Sequence, residues 1–425
     1  MESHQPARGT QPRTFFSKAY QLRLLAKSRR ILLSVVPLGV AVGILVTLAL
    51  SGLNFVYQGA AGWGQTHHLK VALPVVGLGL AALLLHWTHL ENASLAADLA
   101  LSHEDPYAAF PFRKSLTKVL ACAFTIGLGG SAGVEGPSKW FGAAIGIQFH
   151  RLLRALSKRL RPMRHFLVRP GVLVTAGAAA ALATVFRAPL AGALLAAEHE
   201  GHLTHEAQVP ALVAAGSGYL VFVLTWGTRP LFPMLHTYHL EASDIPWALI
   251  LGLACGLGCR FYRRAREALG GPLEKLPMAW RGLVGGIGLV GLGLLVLPLS
   301  GGPVFTQGGG VDIIQTSLAV PFHTGQGLGI FALKLLATAL TFAAGGIGGQ
   351  WMPMLAMGAA LGSAMEGPLG APPGLMAMVG ASAFAGAHNR TLLVPAVFLA
   401  ETTGQAGLVV PGLLATIVAF LVVAD

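Results

Sequence analysis

The chain has 425 residues, of which 54% are hydrophobic and only 11% charged, with a mean hydropathy of +0.66. Soluble domains carry about a quarter charged residues, so a globular enzyme is disfavoured and no enzymatic activity is expected. The net charge of +12 gathers in three basic clusters at the edges of apolar stretches, which argues for membrane orientation and against nucleic-acid binding.

Taken in chain order, the first cluster is Arg8, Arg13, Lys18, Arg23, Lys27, Arg29 and Arg30. Residues 1–30 read as a cytoplasmic N-terminal segment with no cleavable signal. Apolar helices are predicted within 30–57 and 70–87, a short one near 94–101, and another over 115–130. A helix from Pro137 to about Arg151 follows a glycine-rich break, then come segments at 167–181, 188–198 and 209–226. The second basic cluster, Arg151 to Arg169, lies between two of these, and the third is Arg260, Arg263, Arg264 and Arg266. Beyond it the pattern predicts helices within 247–260, 283–299, 328–344, 353–365, 374–387, 391–401 and 408–424. The fold class is an all-α polytopic membrane protein, because backbone exposed to lipid must satisfy its own hydrogen bonds. Cys122, Cys255 and Cys259 lie in apolar segments and form no disulfide or metal framework.

One pattern occurs twice. Residues 133–146 read GVEGPSKWFGAAIG and residues 349–362 read GQWMPMLAMGAALG, sharing Gly133/Gly349, Pro137/Pro353, Gly142/Gly358 and Gly146/Gly362. Each is a break, a proline suited to a first helical turn, and a small-residue helix. A second match pairs 187–198 with 390–401, through Arg187/Arg390, Leu190/Leu393 and Glu198/Glu401. The two matches together imply an internal duplication, with a first membrane half over 31–228 and a second over 229–425. Free N–H groups at a helix start attract anions, so two such starts inside a membrane predict an anion site between the halves.

At these residues the chain resembles the CLC family of chloride channels and proton-coupled anion antiporters. Gly133-Val134-Glu135-Gly136-Pro137 is similar to its GxEGP signature, and Gly348 to Pro353 stands where its GGIFAP signature would be. The segment from Phe186 to Gly192 resembles its FNAPLAG element. The resemblance implies a CLC-type fold with broken helices, a homodimer with one pathway per subunit, and Glu135 as gate and proton carrier. It implies chloride or a similar monovalent anion and protons as the transported species, in the lipid bilayer of the cell membrane, with no cofactor. The anion would rest on the two helix starts, at Gly133, Val134 and Gly136 and at Gly349, Gln350, Trp351 and Met352. Ser94 would add a hydroxyl, because spacing puts it at the serine of the family's GSGIP motif; its other reading is a plain helix cap. His199 aligns with the family's inner proton acceptor, and histidine titrates near neutrality.

Departures leave alternatives open. Val134 replaces an arginine, Gln350, Trp351 and Met352 replace Ile, Phe and Ala, and the family's final helix with its tyrosine and its cytoplasmic regulatory domain are not expected. Fluoride/proton antiport and a passive chloride channel therefore remain alternatives to chloride/proton antiport. Two other classes fit short stretches of the sequence. Gly129 to Gly133 fits a loose G-x-S-x-G pattern around Ser131, the mark of a serine nucleophile. The stretch from Glu198 to Glu206, with His199, His202 and His205, suggests a metal-dependent membrane protein, although HExxH is missing and no metal ligands are assigned.

Overall fold

Apolar sequence that satisfies its own backbone folds as helix. In the computed structural model the described residues (18–66, 69–90, 94–198, 205–234 and 237–424) form seventeen α-helices and no sheet. Among the described residues, seven helical stretches are long and apolar enough to cross a membrane. The first half comprises α1 (Lys18–Thr66), α2 (Leu73–Trp87), α3 (Leu95–Glu104), α4 (Pro106–Ala109), α5 (Phe112–Gly127), α6 (Glu135–Arg159), α7 (Pro170–Phe186), α8 (Pro189–Glu198) and α9 (His205–Trp226). The second comprises α10 (Asp244–Glu274), α11 (Met278–Ser300), α12 (Val311–Ala319), α13 (Thr324–Ala343), α14 (Trp351–Leu369), α15 (Leu375–Asn389), α16 (Leu393–Thr403) and α17 (Val409–Ala424).

Three differences from the sequence reading share a cause. α1 already includes residues 18–30, α6 runs on to Arg159, and α10 runs on to Glu274. In each case basic residues lie within a helix, where the sequence suggested a boundary: Lys18 to Arg30 at the start of α1, Arg151 to Arg159 at the end of α6, and Arg260 to Arg266 inside α10. Lysine and arginine are good helix formers, and α6 carries Lys158 and Arg159 in its last turn, where cations suit the helix dipole. α12 and the single-turn α4 were not foreseen, since neither is long enough to stand out in an apolar background.

Packing repeats between the halves. α6 crosses α7 where Gly142 lies against the backbone of Gly177, and α14 crosses α15 where Gly358 lies against Gly380. Any Cβ at these four positions would overlap a facing carbonyl, so the crossings require glycine. In membranes such small-residue contacts let helices approach closely. The same relation recurs further out. Gly39 and Gly43 of α1 face Ala214 and Gly218 of α9, while Gly252 and Gly256 of α10 face Ala415 and Ala419 of α17. Equivalent helices also touch each other, α2 against α11 and α8 against α16, as expected around a local two-fold axis.

Candidate functional site

The axis passes through the two glycine-rich breaks. Helices α5 and α13 each stop at a glycine with positive φ, +90° at Gly129 and +88° at Gly345, a conformation open to glycine without strain. The chain then turns so that Gly130 N–H donates to Thr125 O (2.8 Å) and Gly346 N–H to Thr341 O (2.9 Å). Each break is tied to the other half by a matching bond: Ser131 N–H to Thr341 Oγ1 (3.0 Å) and Ile347 N–H to Thr125 Oγ1 (3.2 Å). At the centre Gly133 and Gly349 form an isolated antiparallel bridge, Gly133 N–H to Gly349 O (2.8 Å) and Gly349 N–H to Gly133 O (2.7 Å). The residues paired by sequence alignment thus touch in space.

This seam brings two helix starts together. α6 begins at Glu135 and α14 at Trp351, with Pro137 and Pro353 as third residues of their first turns. The N–H groups of Glu135, Gly136, Trp351 and Met352 come before the first helical bonds, which run from Ser138 to Val134 and from Met354 to Gln350. The Glu135 side chain, 2% exposed, crosses the seam, and its Oε1 accepts the Met352 N–H at 3.1 Å. Its Oε2 is buried and has no hydrogen-bond partner among the described residues. A carboxylate from the first half therefore occupies the N-terminus of a second-half helix, where the helix dipole favours negative charge.

The other predicted residues divide. Gly136, Gly349, Gln350 and Trp351 line a cavity of about 430 Å³ with Glu135 and Lys139. Met352 contributes its N–H, and its side chain is buried under Gly309. Trp351 packs its ring edge-on to Phe398 (5.9 Å) and tilted to Phe186 (6.2 Å), filling space beside the seam. The Val134 side chain points elsewhere, into a small apolar cavity between α1, α5 and α6. Ser94 does not meet Glu135. It is the N-cap of α3, accepting the Ala97 N–H at 3.2 Å, and lines a second cavity of about 330 Å³. The two cavities share Leu95, Ala96, Arg266, Gly348 and Gln350, so they adjoin, with Ser94 lining one and Glu135 the other. His199 lies outside the described residues, as does the rest of 199–204. Ser131, the nucleophile of the rival reading, is buried with its hydroxyl 2.9 Å from Thr338 Oγ1 and braces the break.

Several residues escaped the sequence reading. Lys118 is buried and paired with Asp98, whose Oδ2 also accepts Trp140 Nε1–H (2.9 Å). Lys334, fully buried, donates to Gln307 O (3.1 Å) and Gly308 O (2.7 Å). The two lysines stand at equal distances before their glycine bridges, and a longer alignment would have found them: Lys118/Lys334, Thr125/Thr341 and Gly129/Gly345 all match. Glu401 accepts the Leu190 and Ala191 N–H groups (3.0 and 2.7 Å), so a second-half carboxylate caps α8 of the first. Tyr262 and His388 both reach Gln350, which no sequence spacing signalled.

The comparisons with known proteins agree with this arrangement. The model of the family described as voltage gated chloride channel matches residues 91–424. An H(+)/Cl(-) exchange transporter of Citrobacter koseri is 29% identical over 68% of this chain and 61% of its own length. The chain spans 59% of another curated relative, from Methanocaldococcus jannaschii. Two solved structures share the fold: a slow cyanobacterial Cl−/H+ antiporter, with a TM-score of 0.78 and 21% identity, covers 93% of this chain and 94% of its own. A CLC-type fluoride/proton antiporter follows at 0.72 and 23%, covering 95% and 96%. The expectation of no enzymatic activity is corrected by these relatives, whose names replace a bare exclusion with a positive class, the transporter.

Proposed function

This chain belongs to the voltage gated chloride channel family, and we propose from that premise that it moves monovalent anions across the cell membrane in exchange for protons. The observation that carries the reading is the seat of Glu135, whose carboxylate accepts the Met352 N–H at the start of α14. A carboxylate held there is itself an anion on an anion site. Protonation removes its charge, weakens its hold on the helix start and frees the site for a permeating anion. The same side chain then carries a proton one way and admits an anion the other, which couples the two fluxes. Chloride is the proposed anion, because relatives named as chloride/proton exchangers align with the chain. Ser94, in the adjoining cavity, is proposed to offer its hydroxyl proton to the anion, since capping α3 uses only an oxygen lone pair. His199 remains the proposed proton acceptor at the other end of the proton route.

In this reading the repeats 31–228 and 229–425 each supply one helix start, the N-terminus faces the cytoplasm as its basic residues favour, and two copies form a homodimer with separate pathways. The test is purified protein in liposomes, with anion efflux and internal pH recorded together. Wild type should drive protons uphill against an anion gradient, and Glu135→Gln should pass anions without moving protons. Uphill proton movement by Glu135→Gln would refute the mechanism. Anion flux with no proton movement in wild type would make the protein a passive channel, and fluoride flux far above chloride flux would change the cargo.

A further inference from the structure

Gln350 stands one residue before the α14 start, on the wall common to the Ser94 cavity and the Glu135 cavity. Its carbonyl oxygen Oε1 accepts two hydrogen bonds, from the Tyr262 hydroxyl at 3.2 Å and from His388 Nε2 at 2.8 Å. Tyr262 comes from α10 and is 1% exposed, His388 comes from the last turn of α15, and their rings meet edge-on at 5.3 Å. A carbonyl oxygen with two lone pairs is fully used by two such donors. The amide is thereby fixed about its last torsion, with its oxygen turned toward α10 and α15. Its NH2 group is turned the other way. Gln350 is partly exposed, and its two N–H groups donate to no described residue. Arg266, which lines the same shared wall, adds a positive charge beside it.

We propose that the Gln350 side-chain amide is an anion ligand in the passage between the two cavities, oriented by Tyr262 and His388, and that it sets the preference among monovalent anions. The inference rests on the anion-transport reading above and adds a side-chain donor to the backbone donors of the helix starts. Weak, diffuse dipoles favour large anions that shed water easily, because they repay little of the dehydration of a small one. Two aimed N–H groups shift the balance toward compact anions such as chloride, whose charge is concentrated at hydrogen-bonding distance. The oriented amide therefore discriminates chloride from thiocyanate.

The experiment measures chloride and thiocyanate binding to the purified full chain by calorimetry, and the flux of each from liposomes. Gln350→Ile, close in volume and without donors, should weaken chloride binding about tenfold while changing thiocyanate little, as losing a hydrogen bond to a charged ligand predicts. Tyr262→Phe should move the chloride-to-thiocyanate ratio the same way by a smaller factor, since it loosens the amide without removing it. If Gln350→Ile does not fold, Gln350→Asn withdraws the same amide by one methylene and carries the same expectation. Chloride affinity within twofold of wild type in the folded variant overturns the proposal. Tighter chloride binding overturns it too, because the carbonyl would then be the group facing the passage. A wild-type protein that neither binds nor moves any anion would instead refute the transport reading, so the two failures are distinct.

Discussion

At the scale of single residues, one carboxylate carries the proposed gate and one ion pair carries the scaffold. In the proposed mechanism Glu135 fills its seat as an anion, so ionisation would close the site and protonation would open it. Anion flux should therefore rise as pH falls and decline as pH rises, and Glu135→Gln should flatten that dependence, as read from chloride efflux at a series of pH values. A variant that keeps the wild-type slope would remove Glu135 from the gate. Lys118 makes a different argument. It is buried with Asp98, which also receives the Trp140 indole N–H, so one carboxylate ties α3, α5 and α6 together. Lys118→Met leaves Asp98 charged with its main partner gone, and should cost about 3–5 kcal/mol in thermal or denaturant unfolding. Adding Asp98→Leu should recover part of that loss, since the stranded charge goes with it. Equal losses in the single and double variants would argue against a pair. The place of Glu135 at a helix start was legible in the sequence, because Gly133, Gly136 and Pro137 mark a break before a helix. Lys118 and Lys334 were not, because a lone lysine in an apolar helix reads as a boundary until its partner, 20 residues away in the first case, is placed beside it.

At the scale of elements, glycine at a crossing does what charge does at the site. α6 and α7 meet backbone to backbone at Gly142 and Gly177, and α14 and α15 do so at Gly358 and Gly380. Gly142→Val pushes a branched side chain into a carbonyl with no room to yield. It should lower stability by about 1–3 kcal/mol or more, seen as a lower melting temperature or aggregation in detergent. Gly171→Ala, in a place where a methyl meets nothing, is the control and should change little. The starts of these helices were legible to within two residues, from Pro137 and Pro353. Their ends were harder to read. Basic residues at Arg151 to Arg159 mark a membrane boundary, yet nothing in them stops a helix, and α6 continues through them. The short α12 was missed for another reason: nine residues that include Asp312, Gln315 and Thr316 are too few and too mixed to stand out as a helix, and their packing against α14 is visible only in the fold.

At the scale of the whole molecule, the duplication was the most legible property, since two ungapped matches in the same order specify both halves. Sequence could not say that the copies face each other. That emerges from reciprocal bonds such as Ser131 to Thr341 and Ile347 to Thr125. The proposed anion site, built from helix starts and an amide, would offer chiefly dipoles to its cargo. Sulfate, with two charges to desolvate, should therefore be excluded while chloride and nitrate pass, as measured by efflux into each salt. Sulfate flux near that of chloride would mean that the positive charge of Arg266, on the shared wall, acts directly on the cargo. The central glycine bridge has a mechanical meaning as well. Many carriers expose their cargo alternately by rocking one bundle of helices against the other. Here the backbones of the two bundles are stitched to each other at the pivot, by Gly133 and Gly349. Parting them by an ångström or two would strand two buried peptide groups, at roughly 1–3 kcal/mol each. That cost favours, for the proposed cycle, a frame that stays in place while small parts inside it swing and change protonation.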